Sequence, residues 1–307
     1  METARDSHTL EVVEAEELWT MPVVDSNRFI CRGCTQQVFP ASYDKAINKK
    51  RPHFKLGPRK EHLMGCDVDG EVKIVNRAKK ERVGTPEGFP MPFPNRITLT
   101  DERLVERNGE IGAPGDGRAR TAASREGAGD GQRRHHGHTV TTIRMICRTY
   151  MRYPYDRPHM PLSIPGVEGR TYLDVFKAVW GKPEPLNERT RLFYAPIRWT
   201  VKPVIREEYC ELTLSAGEWD EASGKYKSMY RVRVHWAGWS KSRRDTLIKE
   251  YETTREEAKE QAQSDKTAQG WLFFVGTQDE TDPSVFHVEH FRLICSLSGV
   301  VERAAKR

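Results

Sequence analysis

The chain has 307 residues, of which 31% are charged, and its 50 basic residues exceed its 44 acidic residues to give a net charge of +6. The mean hydropathy is −0.72, and no stretch approaches the roughly 18–20 apolar residues of a membrane span, so we expect no association with a membrane. The length leaves room for two domains and connecting segments. The mild basic excess permits nucleic-acid binding without requiring it.

The N-terminal segment, residues 1–24, is acidic and lacks the apolar core of a signal peptide. Because disulfide frameworks belong to exported proteins, this predicts a cytoplasmic protein with reduced thiols. We expect the segment to be a tail. Its stretch LEVVEAEELW has the acidic, helical character of a docking peptide.

A group of potential metal ligands follows, comprising Cys31, Cys34, His53, His62 and Cys66. The Cys-x-x-Cys spacing lets two thiolates bind one metal ion from a single loop. His62 and Cys66 are four residues apart, a spacing that places two side chains on the same side of a helical turn. The pattern predicts a structural zinc site with three thiolates and one imidazole, and His62 and His53 are alternative imidazole ligands.

The order of these residues also resembles the zinc-finger segment at the front of competence CoiA-like proteins. The shared features are the Cys-x-x-Cys pair, a basic gap, His53-Phe54, and a terminal cysteine followed by the acidic stretch of CDVDGE. In that family another histidine closely follows the His-Phe pair, whereas here the next histidine is His62. The resemblance covers about fifty of the 307 residues. It implies a bacterial protein associated with DNA, and it transfers no catalytic activity to this chain.

Residues 101–140 contain no Phe, Tyr or Trp and are rich in Gly, Arg, Ala and Glu. Such a segment cannot bury enough apolar surface to offset its backbone entropy, which predicts a disordered linker. The predicted organisation is a tail (1–24), a zinc-finger module with a Pro-rich extension (25–100), the linker (101–140), a β-rich OB-like domain (141–300) and a basic tail (301–307). We expect Phe89 and Phe93 of the extension to pack against the zinc-finger module.

After the linker, the alternation in TVTTIRMICRTYMRYP predicts a strand, and the apolar stripe of Leu173, Phe176, Val179 and Trp180 predicts a short helix. RLFYAPIRWTVK, residues 191–202, is another β-rich run. Whether residues 141–202 belong to the barrel or form a separate small domain stays open at this stage.

From Glu208 onward the predicted element order is β-β-β-α-β-β. The strands are EYCELTL, SMYRVRVHW, DTLIKEYE, GWLFFVGT and FHVEHFRLICSL, and the helix is TTREEAKEQAQ, with Thr253 and Glu256 at capping-box spacing. This order is typical of an OB-fold, a partly open barrel that binds single-stranded nucleic acid. The apolar phase of the last strand changes, which predicts a bulge near Glu289 and His290. The predicted fold class is therefore α+β, a small zinc-finger module joined by the linker to a mostly β, OB-fold-like barrel.

The strand RVRVHW places arginines on its outer face, close to aromatic residues. Guanidinium groups neutralise phosphate and aromatic rings stack on bases, so such a surface suits a single strand. The predicted nucleic-acid-binding residues are Tyr230, Arg231, Arg233, Trp239, Lys241, Arg243 and Arg244. A plain solvated face would show the same alternation, and that alternative stays open.

No spacing of acid, base or nucleophile indicates catalysis, and a closed four-ligand zinc site is structural, so no catalytic residue is predicted. The sequence favours a bacterial nucleic-acid-binding protein, with single-stranded DNA or RNA as its partner and a structural zinc ion. The first alternative is a protein-interaction adaptor of a mobile-element or phage-defence system, with a partner from the same operon. A divergent nuclease is a further alternative.

Overall fold

The computed structural model describes residues 1–66, 68–100, 103–107, 110–112, 137–186 and 190–302. The front region, residues 1–70, contains five short strands and one 3₁₀ helix. These elements are β1 (Thr3–Asp6), β2 (Val12–Glu14), the 3₁₀ helix (Ala15–Trp19), β3 (Phe29–Cys31), β4 (Val38–Ala41) and β5 (His53–Leu56). Strand β1 is the centre of a three-stranded sheet ordered β2-β1-β3, and β4 pairs with β5.

The acidic N-terminal segment is part of the front region and not a tail. Val13, Leu18 and Trp19 are buried, and the terminal amino group of Met1 donates a hydrogen bond of 2.8 Å to the carbonyl of Phe54. Burial of its apolar side chains stabilises this segment against the region's small core. Four apolar residues of the proposed docking peptide, Val13, Ala15, Leu18 and Trp19, are therefore not available at the surface.

A group of short elements follows the front region along the chain. They are α1 (Glu71–Ala78), β6 (Phe93–Ile97), β7 (Val105–Arg107), β8 (Glu110–Gly112) and β9 (Gly137–Val140). Residues 113–136 of the predicted linker lie outside the described residues. The end of that linker differs from the prediction, because β9 pairs in parallel with β6. Phe89 of the Pro-rich extension packs on Tyr153, with ring centroids 4.9 Å apart, and not on the zinc ligands.

The back region, residues 141–302, contains two larger sheets and three helices. Its helices are α2 (Ile143–Arg152), α3 (Tyr172–Val175) and α4 (Lys241–Gln261). Its strands are β10 (Phe176–Ala178), β11 (Leu192–Pro196), β12 (Val204–Ile205), β13 (Tyr209–Asp220), β14 (Lys225–His235), β15 (Gln269–Val275), β16 (Thr277–Gln278), β17 (Val285–Val288) and β18 (Ile294–Gly299). A second 3₁₀ helix, Phe291–Leu293, precedes β18.

The two larger sheets pack face to face. One has the strand order β10-β11-β15-β18 and the other β12-β13-β14-β17-β16. Phe193 and Phe274 of the four-stranded sheet meet Val232 and Phe286 of the five-stranded sheet in one apolar core. The opposite face of the four-stranded sheet, with Phe273, packs in a second core together with α2. Both faces of β15 are buried, which explains its continuous apolar sequence.

No sheet in the described ranges closes into a barrel, so the predicted OB-like barrel is wrong. The architecture is mixed α/β. The reason lies partly in the predicted fifth strand, which is two strands separated by a 3₁₀ helix: β17 belongs to the five-stranded sheet and β18 to the four-stranded sheet. The change of apolar phase near Glu289 marks this passage between sheets and is not a bulge.

Two predicted strands are helical. The segment predicted as the first strand after the linker forms α2, in which Ile143, Ile146, Cys147 and Tyr150 are buried at helical spacing. The segment DTLIKEYE lies inside α4, which begins after Ser240 and not at Thr253; the hydroxyl of Ser240 caps the helix by accepting a hydrogen bond from the backbone of Arg243. Both segments satisfy two periodicities, and tertiary packing selects the helical one.

Candidate metal centre

The predicted zinc ligands converge at one end of the front region. Cys31 is the last residue of β3, Cys34 lies in the following loop, and His62 and Cys66 lie before α1. The guanidinium of Arg5, on the neighbouring strand β1, donates hydrogen bonds to the carbonyls of Cys31 (3.4 Å) and Cys34 (3.3 Å). Strand pairing and this clamp therefore position the Cys-x-x-Cys loop.

Cys31, Cys34, His62 and Cys66 form a group whose ligand atoms all lie within 4.8 Å of one another. The Sγ atoms of Cys31 and Cys66 are 3.7 Å apart. Nδ1 of His62 lies 3.4 Å from Sγ of Cys66 and 3.7 Å from Sγ of Cys34. A tetrahedron with Zn–S near 2.3 Å and Zn–N near 2.05 Å has S···S edges of about 3.8 Å and S···N edges of about 3.6 Å. The spacing of the donor atoms therefore fits a four-coordinate zinc ion.

His62 is the imidazole of this group, and His53 is not a member of it. His53 lies on β5, and its Nδ1 is 3.3 Å from the carbonyl oxygen of Arg51. The structure thus brings together four of the five predicted ligands, with Nδ1 of His62 in the coordinating position.

Burial affects the ionisation of all three thiols. It raises the pKa of Cys31 to about 12 and also raises the pKa of Cys66. Burial acts in the same direction on Cys34, but hydrogen bonds, first among them the one with His62, outweigh it and lower its pKa to about 7. Since metal-bound cysteines are thiolates, zinc binding at neutral pH must release protons. The positive charge of the zinc ion then stabilises the thiolates.

A buried group of charged side chains joins the front region to α2 and α4, and sequence reasoning missed it. Glu16 of the front region receives hydrogen bonds from Arg148 of α2 and from Arg51, the latter at 3.1 Å. Arg144 of α2 pairs with Glu14 and with Glu250 of α4, each at 2.7 Å. We call these six residues the buried ion cluster. The only sequence signal was the i, i+4 pair of arginines in α2 and the acidic residues within LEVVEAEELW.

The charges of the buried ion cluster compensate one another. Burial would raise the pKa of Glu16, but Arg148, Arg144 and Arg51 outweigh this effect and lower it to about 2. The carboxylates of Glu250, Glu16 and Glu14 in turn hold the pKa of Arg144 well above its usual range despite burial. Arg51 also contacts Glu257 and Thr254 of α4, so the cluster joins the front region directly to the back region.

Three of the predicted nucleic-acid-binding residues belong to β14. Tyr230 is 5% exposed, and its ring packs in the core while its hydroxyl donates to the carbonyl of Lys182, so it cannot stack on a base. Arg231 and Arg233 lie on the outer face of the five-stranded sheet. Both pair with Glu211, at 3.7 and 3.0 Å.

The remaining four predicted residues lie at the start of α4. Lys241 is exposed and pairs with Asp245 at 2.6 Å, and Arg244 bonds to the carbonyl of Trp239 at 3.1 Å. Arg243 lies over the ring of Phe291, 4.2 Å from its centroid. Trp239 meets the same ring edge-on at 5.8 Å. Phe291 was not predicted as a site residue, because its sequence position resembled an ordinary strand.

Trp239, Arg243 and Phe291 line a cavity of about 230 Å³ between the front and back regions. Arg292 also lines it, and its guanidinium lies 4.8 Å from the centre of the Phe291 ring. Arg103 and three members of the buried ion cluster, Glu16, Arg144 and Glu250, also line it. We call this cavity, with its lining residues Trp239, Arg243, Phe291 and Arg292, the arginine–aromatic cleft.

Comparisons with known proteins identify no relative. No family model matches the chain, no curated protein is similar to it, and no solved structure resembles it at a significant level. None of the helices in the described part of the chain combines the length and the apolar character that crossing a membrane requires.

Proposed function

We propose that this protein binds nucleic acid, with single strands favoured over duplex, and that a structural zinc ion stabilises its front region. The observation that carries the proposal is the arginine–aromatic cleft. Two guanidinium groups, from Arg243 and Arg292, lie within 5 Å of one ring, and a second ring, that of Trp239, lies beside it. Cation and ring together suit a backbone phosphate with an adjacent unstacked base.

The position of the cleft supports this proposal. Ligand sites occur preferentially where two parts of a protein meet, and the cleft lies between the front region and α4. Its cavity of about 230 Å³ provides space for an inserted ring. The four threonines on its walls, Thr20, Thr141, Thr142 and Thr246, add hydrogen-bonding groups.

The metal centre supports the same class of function. Four protein ligands leave no open position on a tetrahedral ion, so the metal would act on the fold and not on a substrate. The order of the ligand residues resembles the CoiA-like zinc-finger segment, which is associated with DNA in bacteria, and the net charge of +6 agrees with a polyanionic partner. We do not favour the adaptor alternative, because most apolar residues of its docking peptide are buried.

The test is fluorescence-anisotropy binding to labelled single-stranded and duplex oligonucleotides over a salt series. We expect the single strand to bind more tightly, with a steep salt dependence. The Trp239→Ala, Arg243→Ala double variant should bind roughly tenfold more weakly and show a shallower salt slope. The single variant Trp239→Phe should retain most of the wild-type affinity, because phenylalanine keeps a ring at this position.

Arg77→Ala is the matched control. Arg77 is exposed on α1, where it pairs with Glu81 at 3.3 Å, far in sequence from the cleft. The Arg77→Ala substitution removes one positive charge without changing the arginine–aromatic cleft. Equal losses in the control and in the cleft variant, or no binding by the wild-type protein at low salt, would disprove the proposed site.

A further inference from the structure

The outer face of the five-stranded sheet carries a second group of polar side chains, distinct from the cleft. Alternation along β13 and β14 sends Leu212 and Val232 into the core and Glu211, Arg233 and His235 outward. Strand β17 continues the pattern, because His287 lies beside Arg233 in the parallel pairing of β14 and β17. A carboxylate, a guanidinium and an imidazole therefore follow one another across three strands.

The carboxylate of Glu211 lies between two guanidinium groups. Oε2 accepts a hydrogen bond of 3.0 Å from Arg233, and Oε1 is 3.7 Å from Arg231. Arg231 also pairs with Asp282 at 2.7 Å. The side chains of Arg231 and Arg233 are 36% and 29% exposed, so solvent and ligands can reach this arginine pair.

A chain of three hydrogen-bonded groups runs along the same face. Nε2 of His287 is 2.8 Å from the carboxylate of Asp279, and Nδ1 of His287 is 2.8 Å from Nε2 of His235. Backbone amides of Thr281 and Asp282 also bond to Asp279. Hydrogen bonds, first among them the one from His287, hold the pKa of Asp279 well below its usual range, so it stays a carboxylate and accepts a hydrogen bond from Nε2–H of His287. When both imidazoles are neutral, His287 then accepts from His235, which leaves Nδ1 of His235 to exchange protons with a ligand.

The strand register sets the separation of Glu211 and His235. Glu211 is opposite Arg233, and Tyr209 is opposite His235. Glu211 and His235 are therefore diagonal neighbours on one face, a relationship that separates side-chain positions by roughly 7 Å. An in-line displacement at phosphorus places the attacking and leaving oxygens on opposite sides of the phosphoryl group. A base and an acid at diagonal positions, with the guanidinium of Arg233 bonded to the base, match that requirement.

We propose that this face cleaves RNA by general acid–base transesterification, a step that rests on the proposed binding of nucleic acid. Glu211 takes the proton of a ribose 2′-hydroxyl, and the 2′-oxygen forms a bond to the adjacent phosphorus. The bond from phosphorus to the 5′-oxygen breaks, and protonated His235 donates its proton to that leaving oxygen. The products are a 2′,3′-cyclic phosphate and a 5′-hydroxyl, and no oxidant, reductant or metal ion is consumed.

The other residues of the face have supporting roles. Arg231 and Arg233 stabilise the charge that develops on the phosphoryl oxygens. His287 and Asp279 are positioning residues that orient His235. DNA lacks the 2′-hydroxyl, so it should bind and remain intact.

The experiment incubates the full chain with a labelled single-stranded RNA oligonucleotide and its all-deoxy counterpart, without added divalent cation. We expect cleavage of the RNA alone, with cyclic phosphate termini identified by mass spectrometry. His235→Ala and Glu211→Gln should each lower the cleavage rate by about 100-fold or more, while the affinity for the deoxy oligonucleotide stays within about threefold. His287→Ala should lower kcat about tenfold and leave KM unchanged.

His159→Ala is the matched control, because His159 is an exposed histidine outside this face. Equal cleavage by the His159 and His235 variants would identify a contaminating ribonuclease and overturn the proposal. Binding of RNA without cleavage would also overturn it while leaving the proposed function intact. Cleavage that survives loss of the arginine–aromatic cleft would support this face and reject the cleft as the binding site.

Discussion

The front and back regions of this chain reach stability by different means. In the described part of the front region, the apolar core is small, and two of its buried members, Cys31 and Cys66, belong to the group that could hold a metal ion. The back region buries an aromatic-rich layer between two sheets, with Phe193, Phe274 and Phe286 in mutual contact. Short segments with little apolar surface depend on a metal ion, whereas a sandwich of long strands does not.

The junction between the regions follows a third principle. The buried ion cluster replaces an apolar interface with carboxylates and guanidinium groups, and every contact in it spans more than thirty residues of sequence. Removing one partner from such a cluster leaves an uncompensated charge in a low dielectric. The two regions are therefore coupled, and they do not behave as modules on a flexible tether.

Removing the metal should have the largest effect on the difference in stability between the two regions. Cys31→Ser should lose the bound zinc and unfold the front region, because structural zinc contributes on the order of 10 kcal/mol to the folding of small sites. Metal analysis should give about one zinc per chain for the wild type and close to none for the variant. Limited proteolysis should cut within the front region first.

Cys210→Ser is the control for this experiment. Cys210 is fully buried in the apolar core between the two sheets and lies outside the metal group. It should retain its zinc even if its stability falls. Loss of zinc from both variants, or a wild-type protein that folds without metal, would show that the two regions do not differ in this way.

The pH dependence of unfolding tests the coupling between the two regions. Because the pKa of Glu16 falls from its usual 4.5 to about 2 in the folded protein, its contribution is complete above pH 4.5 and is lost as the pH falls towards 2. The shift corresponds to about 3 kcal/mol. Denaturant unfolding between pH 7 and pH 2 should show this decrease.

Glu16→Gln should be less stable than the wild type by about 3–5 kcal/mol at pH 7 and should lose less stability on acidification. Glu81→Gln is a matched control, because Glu81 is 62% exposed and its pair with Arg77 is a surface contact. It should change the unfolding free energy by less than about 0.5 kcal/mol. A parallel acid response in wild type and Glu16→Gln would assign the effect to other carboxylates.

The smallest expected effect comes from the histidine that the metal group excludes. His53→Ala should retain zinc and change the unfolding free energy by less than about 1 kcal/mol. His62→Ala removes one of the four ligands and should weaken zinc binding, as measured by competition with a chromophoric chelator. Equal behaviour of the two variants would contradict the assignment of Nδ1 of His62 to the metal.

Sequence reasoning succeeded where the signal was local. Cys31, Cys34, His62 and Cys66 form the metal group because their residue types and short spacing already express the chemistry of zinc. The strands β13 and β14 also match their alternating sequence. Sequence reasoning failed for α2 and the first half of α4, where the spacing of the apolar residues satisfies both the strand period and the helix period.

Sequence reasoning could not reach the contacts between distant segments. Arg148 meets Glu16 across 132 positions, and Arg51 meets the carbonyl of Ser296 across 245. The same holds for His235 and His287, which are separated by 52 positions and adjoin only because β14 and β17 pair in parallel. The periodicity of apolar residues within one segment does not predict contacts with a distant segment.

The sequence by itself narrowed the metal-binding residues to three cysteines and one of two histidines, and it determined the alternation of the long hairpin and the lack of apolar surface in the middle of the chain. The tertiary structure alone decided which strands share a sheet, that β17 and β18 belong to different sheets, and which charges are buried together. The physical reason is that residue type and spacing report only how a segment divides its apolar and polar sides. The partner of each side is chosen by the packing of the whole chain.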